Sequence, residues 1–308
     1  MSEFAMPETT ETLEFVGIRP ARHGADPTKP PIRIEFAAIS HPGKVRTNNE
    51  DHFLVNRLGR TFNLVSSNMP PGDVPEHVDE VAYGMVVADG MGGMAAGEKA
   101  SQLAIRTGVD LVLNSTMWAT RINDQAVQLL IGRMREYSRN VDSVVIGEAN
   151  ATPNLGWMGT TLTLAYIVNT DAFIVHVGDS RAYLFRNGKL EQLTRDHTMA
   201  QGLADLGAIK PEEVHRHAKR HVLTNFVGGP SSGVEPEVST LQLKDGDYLL
   251  LCTDGLTEMV EDQAINRALG SATATDSAVR ALVDMALEGG GRDNVTVVLA
   301  HITVPEAG

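Results

Sequence analysis

Met85-Val86-Val87-Ala88-Asp89-Gly90-Met91-Gly92-Gly93-Met94-Ala95-Ala96-Gly97-Glu98 is the stretch on which the reading of the fold turns. An apolar run with the character of a buried strand ends on a carboxylate, glycines follow in close succession, and a helical pattern then begins. An aspartate at a strand end is often a turn former. The glycines add a second reading, because they let the backbone approach a ligand closely and expose its carbonyls. A carboxylate beside a freed carbonyl suits a hard divalent cation such as magnesium or manganese. Phosphate-loop readings fail. Gly97 is followed by Glu98 and not by Lys-Ser/Thr, and the spacing Gly90, Gly92, Gly93, Gly97 is not G-x-G-x-x-G.

A metal needs further ligands, and three other places repeat the pattern. Gly178-Asp179 closes the apolar run before it, Asp254-Gly255 follows Leu249-Leu250-Leu251-Cys252-Thr253, and Asp293 stands directly before the run that begins at Asn294. Each alone reads equally as a turn. Together they imply strand ends converging on one acidic cluster, whose self-repulsion cations would relieve. Arg46 precedes Glu50 and Asp51 in a loop between strands. It reads either as an ion-pair partner of these carboxylates or as a bidentate clamp on a phosphate. Arg181 and Arg292 are further candidates for a charge role.

The rest of the chain bounds the answer. It has 308 residues, 42% hydrophobic, with 26 Lys and Arg against 39 Asp and Glu, a net charge of -13. That sign disfavours nucleic acid and anionic membranes as partners. No apolar run approaches the ~18 residues of a membrane span. A single cysteine, Cys252, excludes an internal disulfide framework and fits a cytoplasmic setting. It also lacks an arginine six residues on, where Glu258 stands, so it reads as core and not as a phosphatase nucleophile.

Residues 1–31 read as a disordered N-terminal extension and 32–304 as one ordered domain. Strands are expected at 32–40 and, briefly, His52–Val55, with 59–80 as an exposed loop rich in proline. Two helices follow, Glu98–Leu113 and Ile122–Ala149. Strands are expected over Thr160–Val168, Ala172–Val177, Ala182–Phe185 and Lys189–Leu193, the last two joined by an Asn187-Gly188 hairpin turn. A polar segment, 195–233, carries short helices at Met199–Leu206 and Pro211–Ala218. Strands at Glu237–Leu243, Tyr248–Thr253 and Asn294–Thr303 enclose helices at Glu261–Leu269 and Thr275–Glu288. Strands grouped apart from helices imply an α+β sandwich.

Arg46-Thr-Asn-Asn-Glu-Asp51, Asp89-Gly-Met-Gly-Gly93, Ala100-Ser101, Met158-Gly-Thr-Thr161, Val177-Gly-Asp-Ser-Arg181, Asp254-Gly-Leu256 and Arg292-Asp-Asn-Val-Thr296 occur in one order and spacing. In this the chain resembles the metal-dependent protein serine/threonine phosphatases of type 2C, in their bacterial form. The resemblance implies a four-layer α-β-β-α sandwich of two antiparallel sheets, with a flap at 195–233. It implies hydrolysis of phosphoserine and phosphothreonine in proteins by a water activated between two Mn²⁺ or Mg²⁺ ions. Asp89, Gly90, Asp254 and Asp293 would be ligands, Glu50 would act through water, Asp51 would support them, and Asp179 would hold a third ion. Arg46 would bind the phosphate, and His217 and Arg220 would meet substrate from the flap. Where animal members carry a histidine after Asp-Gly, this chain has Met91, leaving the general acid to metal-bound water or a flap histidine. The implied partner is a phosphorylated protein, the target of a serine/threonine kinase, and the chain is read as a monomer. A small-molecule phosphoester as substrate, or a silent phospho-binding module, are the alternatives.

Overall fold

The computed structural model describes residues 32–92, 95–115, 124–152, 157–230 and 233–305. The extension expected over 1–31 and the expected helix start at Ile122 lie outside these residues.

The elements run β1 (Arg33–His41), β2 (His52–Asn63), β3 (His77–Ala88), β4 (Gly90–Gly92), α1 (Ala95–Leu113), α2 (Asp124–Ala151), β5 (Met158–Thr160), β6 (Leu162–Val168), β7 (Asp171–Val177), β8 (Arg181–Arg186) and β9 (Lys189–Gln192). They continue with α3 (Met199–Asp205), β10 (Val227–Gly228), β11 (Glu237–Gln242), β12 (Tyr248–Cys252), α4 (Asp254–Thr257), α5 (Asp262–Gly270), α6 (Thr275–Glu288) and β13 (Val295–Thr303). One sheet orders β1-β13-β12-β8-β9 and the other β11-β7-β6-β3-β2, while β10-β5-β4 form a small third sheet. Every strand pair is antiparallel.

Alternation along the strands assigns each face. Leu249 and Leu251 of β12 and Val298, Ala300 and Ile302 of β13 meet Met85, Val87, Ala165 and Ile174 between the sheets. Their neighbours Leu250, Cys252, Val297 and Leu299 turn outward onto Val279, Leu282 and Val283 of α6. Val86 and Val177 turn outward onto Ala100 and Ala104 of α1 and Val141 and Val145 of α2. Both faces of the central strands are therefore buried, which is why they read as continuous apolar runs instead of an alternation. The layers are helices, sheet, sheet, helices, as the resemblance implied. Among the described residues no helix is long and apolar enough to cross a membrane.

The structure corrects the stretch expected to be a loop over 59–80. Strands β2 and β3 pair over their full lengths, from His52↔Ala88 to Asn63↔His77. The outer half is polar, so no apolar period marks it. It is held by cross-strand pairs: Arg60 with Glu80, Thr61 with Asp79 at 2.6 Å, and Asn63 with His77 at 2.7 Å. The expected strand Thr160–Val168 is two strands broken at Thr161, and the expected helix at Pro211–Ala218 is a 3-10 turn over Pro211–Arg216. Residues of β4, β5 and β10 were too few and too glycine-rich to show a period.

Candidate metal centre

Antiparallel pairing explains why the carboxylates gather at one end. The C-terminus of β12 abuts the N-termini of β13 and β8, with Cys252 opposite both Val297 and Arg181. The C-terminus of β3 abuts the start of β2, Ala88 opposite His52, and the end of β7 abuts the start of β6, Val177 opposite Leu162. Residues just after β3, β7 and β12 and just before β2 and β13 thus share one rim of the sandwich. They are Asp89, Asp179, Asp254, Asp51 and Asp293.

Uncharged groups brace the backbone and side chains of much of this rim. The Asp89 N–H donates to Thr161 Oγ1 at 3.0 Å, and its carbonyl accepts from Thr160 Oγ1 at 2.8 Å and Thr161 N at 2.9 Å. Thr161 Oγ1 lies 2.7 Å from Ser180 Oγ, tying Asp89 to the Asp179 turn. Asp51 is buried, and its Oδ2 accepts from Thr253 Oγ1 and Thr296 Oγ1, both at 2.8 Å. The Asn294 carboxamide accepts from Glu50 N at 2.8 Å and donates to Pro42 O at 3.0 Å and Asn48 O at 2.8 Å, fixing the loop that carries Arg46 and Glu50. Ser101 of α1 donates to the Glu50 carbonyl at 2.6 Å. The sequence offers Thr160, Thr161, Ser180, Asn294 and Thr296 only as members of the quoted motifs, with no role attached to their hydroxyls and amides. Their signal was position, a hydroxyl or amide beside each strand-end carboxylate.

Gly90 shows the close approach that the opening stretch suggested. A Cβ there would stand 2.1 Å from the Gly97 carbonyl oxygen and 2.8 Å from that of Glu50, so only glycine lets the loop pass between α1 and the Glu50 turn.

Compensating positive charge is scarce at this rim. Burial, reinforced by Asp293, pushes the Asp254 carboxyl up to about 7, and burial pushes that of Asp51 up to about 7. Asp89 and Asp179 rise well above the ordinary carboxylate range, first through burial and then through their acidic neighbours. Glu50 is raised as well, again chiefly by burial. Asp51 Oδ1 and Asp254 Oδ1 are buried without a hydrogen-bond partner. Two orphaned carboxylate oxygens amid mutually repelling acids, all donors being oxygen, fit a hard divalent cation. Among the described residues no three such side chains converge on one ion position; what the fold brings together here is the shared field.

Arg46, the cation at this rim, donates from Nη2 to Asp293 Oδ2 at 2.7 Å, and its side chain is 56% exposed. Arg181 is spent elsewhere. It grips Asp196 through two bonds of 2.9 and 2.7 Å and donates to Tyr183 OH, anchoring the start of the flap. Arg292 is exposed on the loop before Asp293. In the flap, Arg220 reaches Glu258 at 3.4 Å, four residues beyond Asp254, whereas His217 accepts the Lys219 N–H within its own turn. Cys252 is buried, and burial pushes its thiol up to about 12, which keeps it an inert core residue.

The family model for protein phosphatase 2C matches residues 69–289, which takes in Asp89, Asp179 and Asp254. The chain belongs to the protein phosphatase 2C family. It is 36% identical over 269 residues to the serine/threonine protein phosphatase PstP of Mycobacterium tuberculosis, covering 87% of this chain and 45% of that protein. The chain thus spans about half the length of this curated relative. It is 30% identical over 279 residues to the protein phosphatase PhpP of Streptococcus pneumoniae, covering 89% of this chain and 100% of that one. A solved structure of the PstP catalytic domain in complex with two manganese ions superposes with a TM-score of 0.68 at 33% identity, over 88% of this chain and 99% of that one.

Proposed function

We propose that the chain is a bacterial-type, metal-dependent serine/threonine protein phosphatase that hydrolyses phosphoserine and phosphothreonine in proteins. The observation that carries this reading is the rim itself: Asp51, Asp89, Asp179, Asp254 and Asp293 brought together from five strand ends, with buried oxygens left unbonded. The side chains of Asp89, Asp254 and Asp293 and the carbonyl of Gly90 would hold two Mn²⁺ or Mg²⁺ ions, Glu50 would contribute through water, and Asp179 would hold a third. When bound, such ions supply Lewis-acid charge and lower the pKa of water toward neutrality. Arg46 exchanges its exposed bond to Asp293 for the phosphoryl oxygens, where a planar guanidinium binds two at once. Thr160 and Thr161 hold the Asp89 backbone, and Thr253 and Thr296 orient Asp51, so the carboxylates keep their places while substrate enters and leaves. The flap, tied down by Arg181–Asp196 at its start and by Arg220–Glu258 near its tip, presents basic side chains to a phosphorylated protein. We read the protein as a cytoplasmic monomer that reverses a serine/threonine kinase.

Hydrolysis of p-nitrophenyl phosphate and of phosphothreonine peptides with Mn²⁺, with and without chelator, tests the reading. Chelator-sensitive turnover of both is expected. Turnover of phosphorylated metabolites alone would replace the protein substrate with a small one, and no chelator-sensitive turnover would leave a phospho-binding module.

A further inference from the structure

Met91 follows Gly90 directly, the proposed chemistry gives it no role, and the small sheet says where it points. It pairs with Gly159 across β4 and β5, and Gly92 pairs with Met158. Directly opposed residues share a face, and successive residues alternate. Met158 is buried among the helices, and Thr160 donates to the Asp89 carbonyl, so both point inward. Met91, Gly159 and, continuing the alternation one residue before β5, Trp157 therefore point the other way. Gly159 has no side chain, and the Phe226 ring fills that place, 3.0 Å from where a Cβ would stand. Phe226 and Trp157 pack with ring centroids 6.0 Å apart, tilted by 47°. Trp157 is nonetheless 52% exposed, an unusual position for the largest side chain.

Met91 thus shares a face of the small sheet with the Phe226–Trp157 ring pair, and that apolar face starts one residue beyond Gly90. At ~3.3 Å per residue, the step from Gly90 to Gly92, beside which Trp157 sits, is ~7 Å, the span of about two residues of an extended peptide. The Trp157 carbonyl stands 3.1 Å from where a Gly92 Cβ would be, which fixes that adjacency. Resting on the phosphatase reading above, we propose that this face docks an apolar side chain lying one to three residues from the phosphorylated serine or threonine. It would therefore select substrates by that flank. Its surface is thioether and aromatic carbon, so the occupant is a Leu-, Ile- or Pro-type side chain, while an acidic flank has the basic flap residues for its partner. Trp157 and Phe226 are specificity-determining residues; they touch the substrate's flank and not the reacting atoms.

The test uses the full chain with Mn²⁺ and phosphothreonine peptides that differ only in carrying Leu or Gly two residues before or after the phosphothreonine. The expected preference is about tenfold in kcat/KM for Leu on one side, carried mainly in KM, which is what burying roughly half a Leu side chain supplies. Trp157→Ala brings the Leu-to-Gly ratio toward one, and Trp157→Phe keeps most of it. Because the ratio is taken within one preparation, any loss of folded protein cancels. Equal kcat/KM for Leu and Gly peptides in the unmodified chain, or a ratio untouched by Trp157→Ala, overturns the inference. If the unmodified chain hydrolyses neither peptide, the phosphatase reading itself falls, and this inference with it.

Discussion

Asn294→Ala isolates the contribution of the scaffold that holds the acidic rim. The Asn294 side chain is 5% exposed and makes three hydrogen bonds, to Glu50 N, Pro42 O and Asn48 O. All three are neutral, so each is worth about 1 kcal/mol, and the substitution should cost about 3 kcal/mol. In a domain of this size that lowers Tm by ~6 °C. The loss is local in its consequences, because all three bonds end on the loop that carries Arg46 and Glu50. Freed from β13, that loop no longer holds Glu50 against the rim, and Mn²⁺ affinity should fall roughly 10- to 100-fold, as for other supports of metal ligands. Calorimetry supplies both readings, a melting scan for Tm and a Mn²⁺ titration for Kd. Asn294→Asp keeps the acceptor for Glu50 N but sets a carboxylate against two carbonyls, so it should lose at least as much. A Tm within ~2 °C of the parent together with an unchanged Mn²⁺ Kd would refute the assignment of Asn294 as the clamp.

Three further outcomes follow from the same geometry. In chelator, Tm should fall as pH rises from 5 to 8: Asp51 and Asp254 ionise near 3.8 in the unfolded chain and at about 7 when folded, so their contribution is full below pH ~4 and is lost as pH passes about 7. Melting scans with excess Mn²⁺ should flatten that slope, and a Tm that climbs over this range in chelator would contradict the burial argument. Asp89→Asn or Asp254→Asn should abolish Mn²⁺-dependent turnover of p-nitrophenyl phosphate while circular dichroism shows the fold retained; full activity in either removes it from the site. Arg46→Ala should raise KM for phosphopeptides with a stability change under ~1 kcal/mol, since its ion pair is exposed, and an unchanged KM removes the clamp role.

How much could be read in advance depended on what kind of force held each part. The core strands announced themselves because both faces are apolar, and α6 was placed to the residue because its buried stripe has a helical period. The outer ribbon of β2 and β3 did not, since Arg60–Glu80 and Thr61–Asp79 stabilise it through pairs that no single-strand pattern contains. Asp89, Asp179, Asp254 and Asp293 were legible one by one as strand-end acids, yet their convergence depends on which strand neighbours which, a fact distributed across the whole chain. Arg181 illustrates the limit. It stands two residues from Asp179, and its sequence neighbourhood fitted a phosphate role, but the partner that claims it, Asp196, lies across a hairpin.

That contrast separates two kinds of acid in this protein. Three of the carboxylates that serve the scaffold are held by an arginine: Asp196 has Arg181, Asp247 has Arg186 at 2.8 and 2.6 Å, and Glu80 has Arg60, while buried Asp142 takes the backbone N–H groups of Gly228 and Gly233. At the rim Thr253 and Thr296 hold the Asp51 carboxylate and the Asn294 N–H that of Asp293, while Thr160 and Thr161 hold the Asp89 backbone, and all of these orient without neutralising. A guanidinium among those carboxylates would satisfy them permanently and compete with any cation. Hydroxyls and amides fix the geometry and leave the negative charge unspent, at the cost of raised carboxyl pKa values in the metal-free chain. Among the described residues the exception is Arg46 on Asp293, an exposed pair and so one that is free to be exchanged. Replacing Thr253, whose hydroxyl bonds Asp51, by Val removes a neutral donor of similar shape. It should leave the metal-free melting temperature within a few degrees but weaken Mn²⁺ binding, whereas Arg186→Met, which strands Asp247, should destabilise the fold and leave Mn²⁺ affinity alone. Calorimetric titration of the two variants side by side decides it, and a Thr253→Val chain that binds Mn²⁺ as tightly as the parent would mean the rim does not depend on its neutral supports.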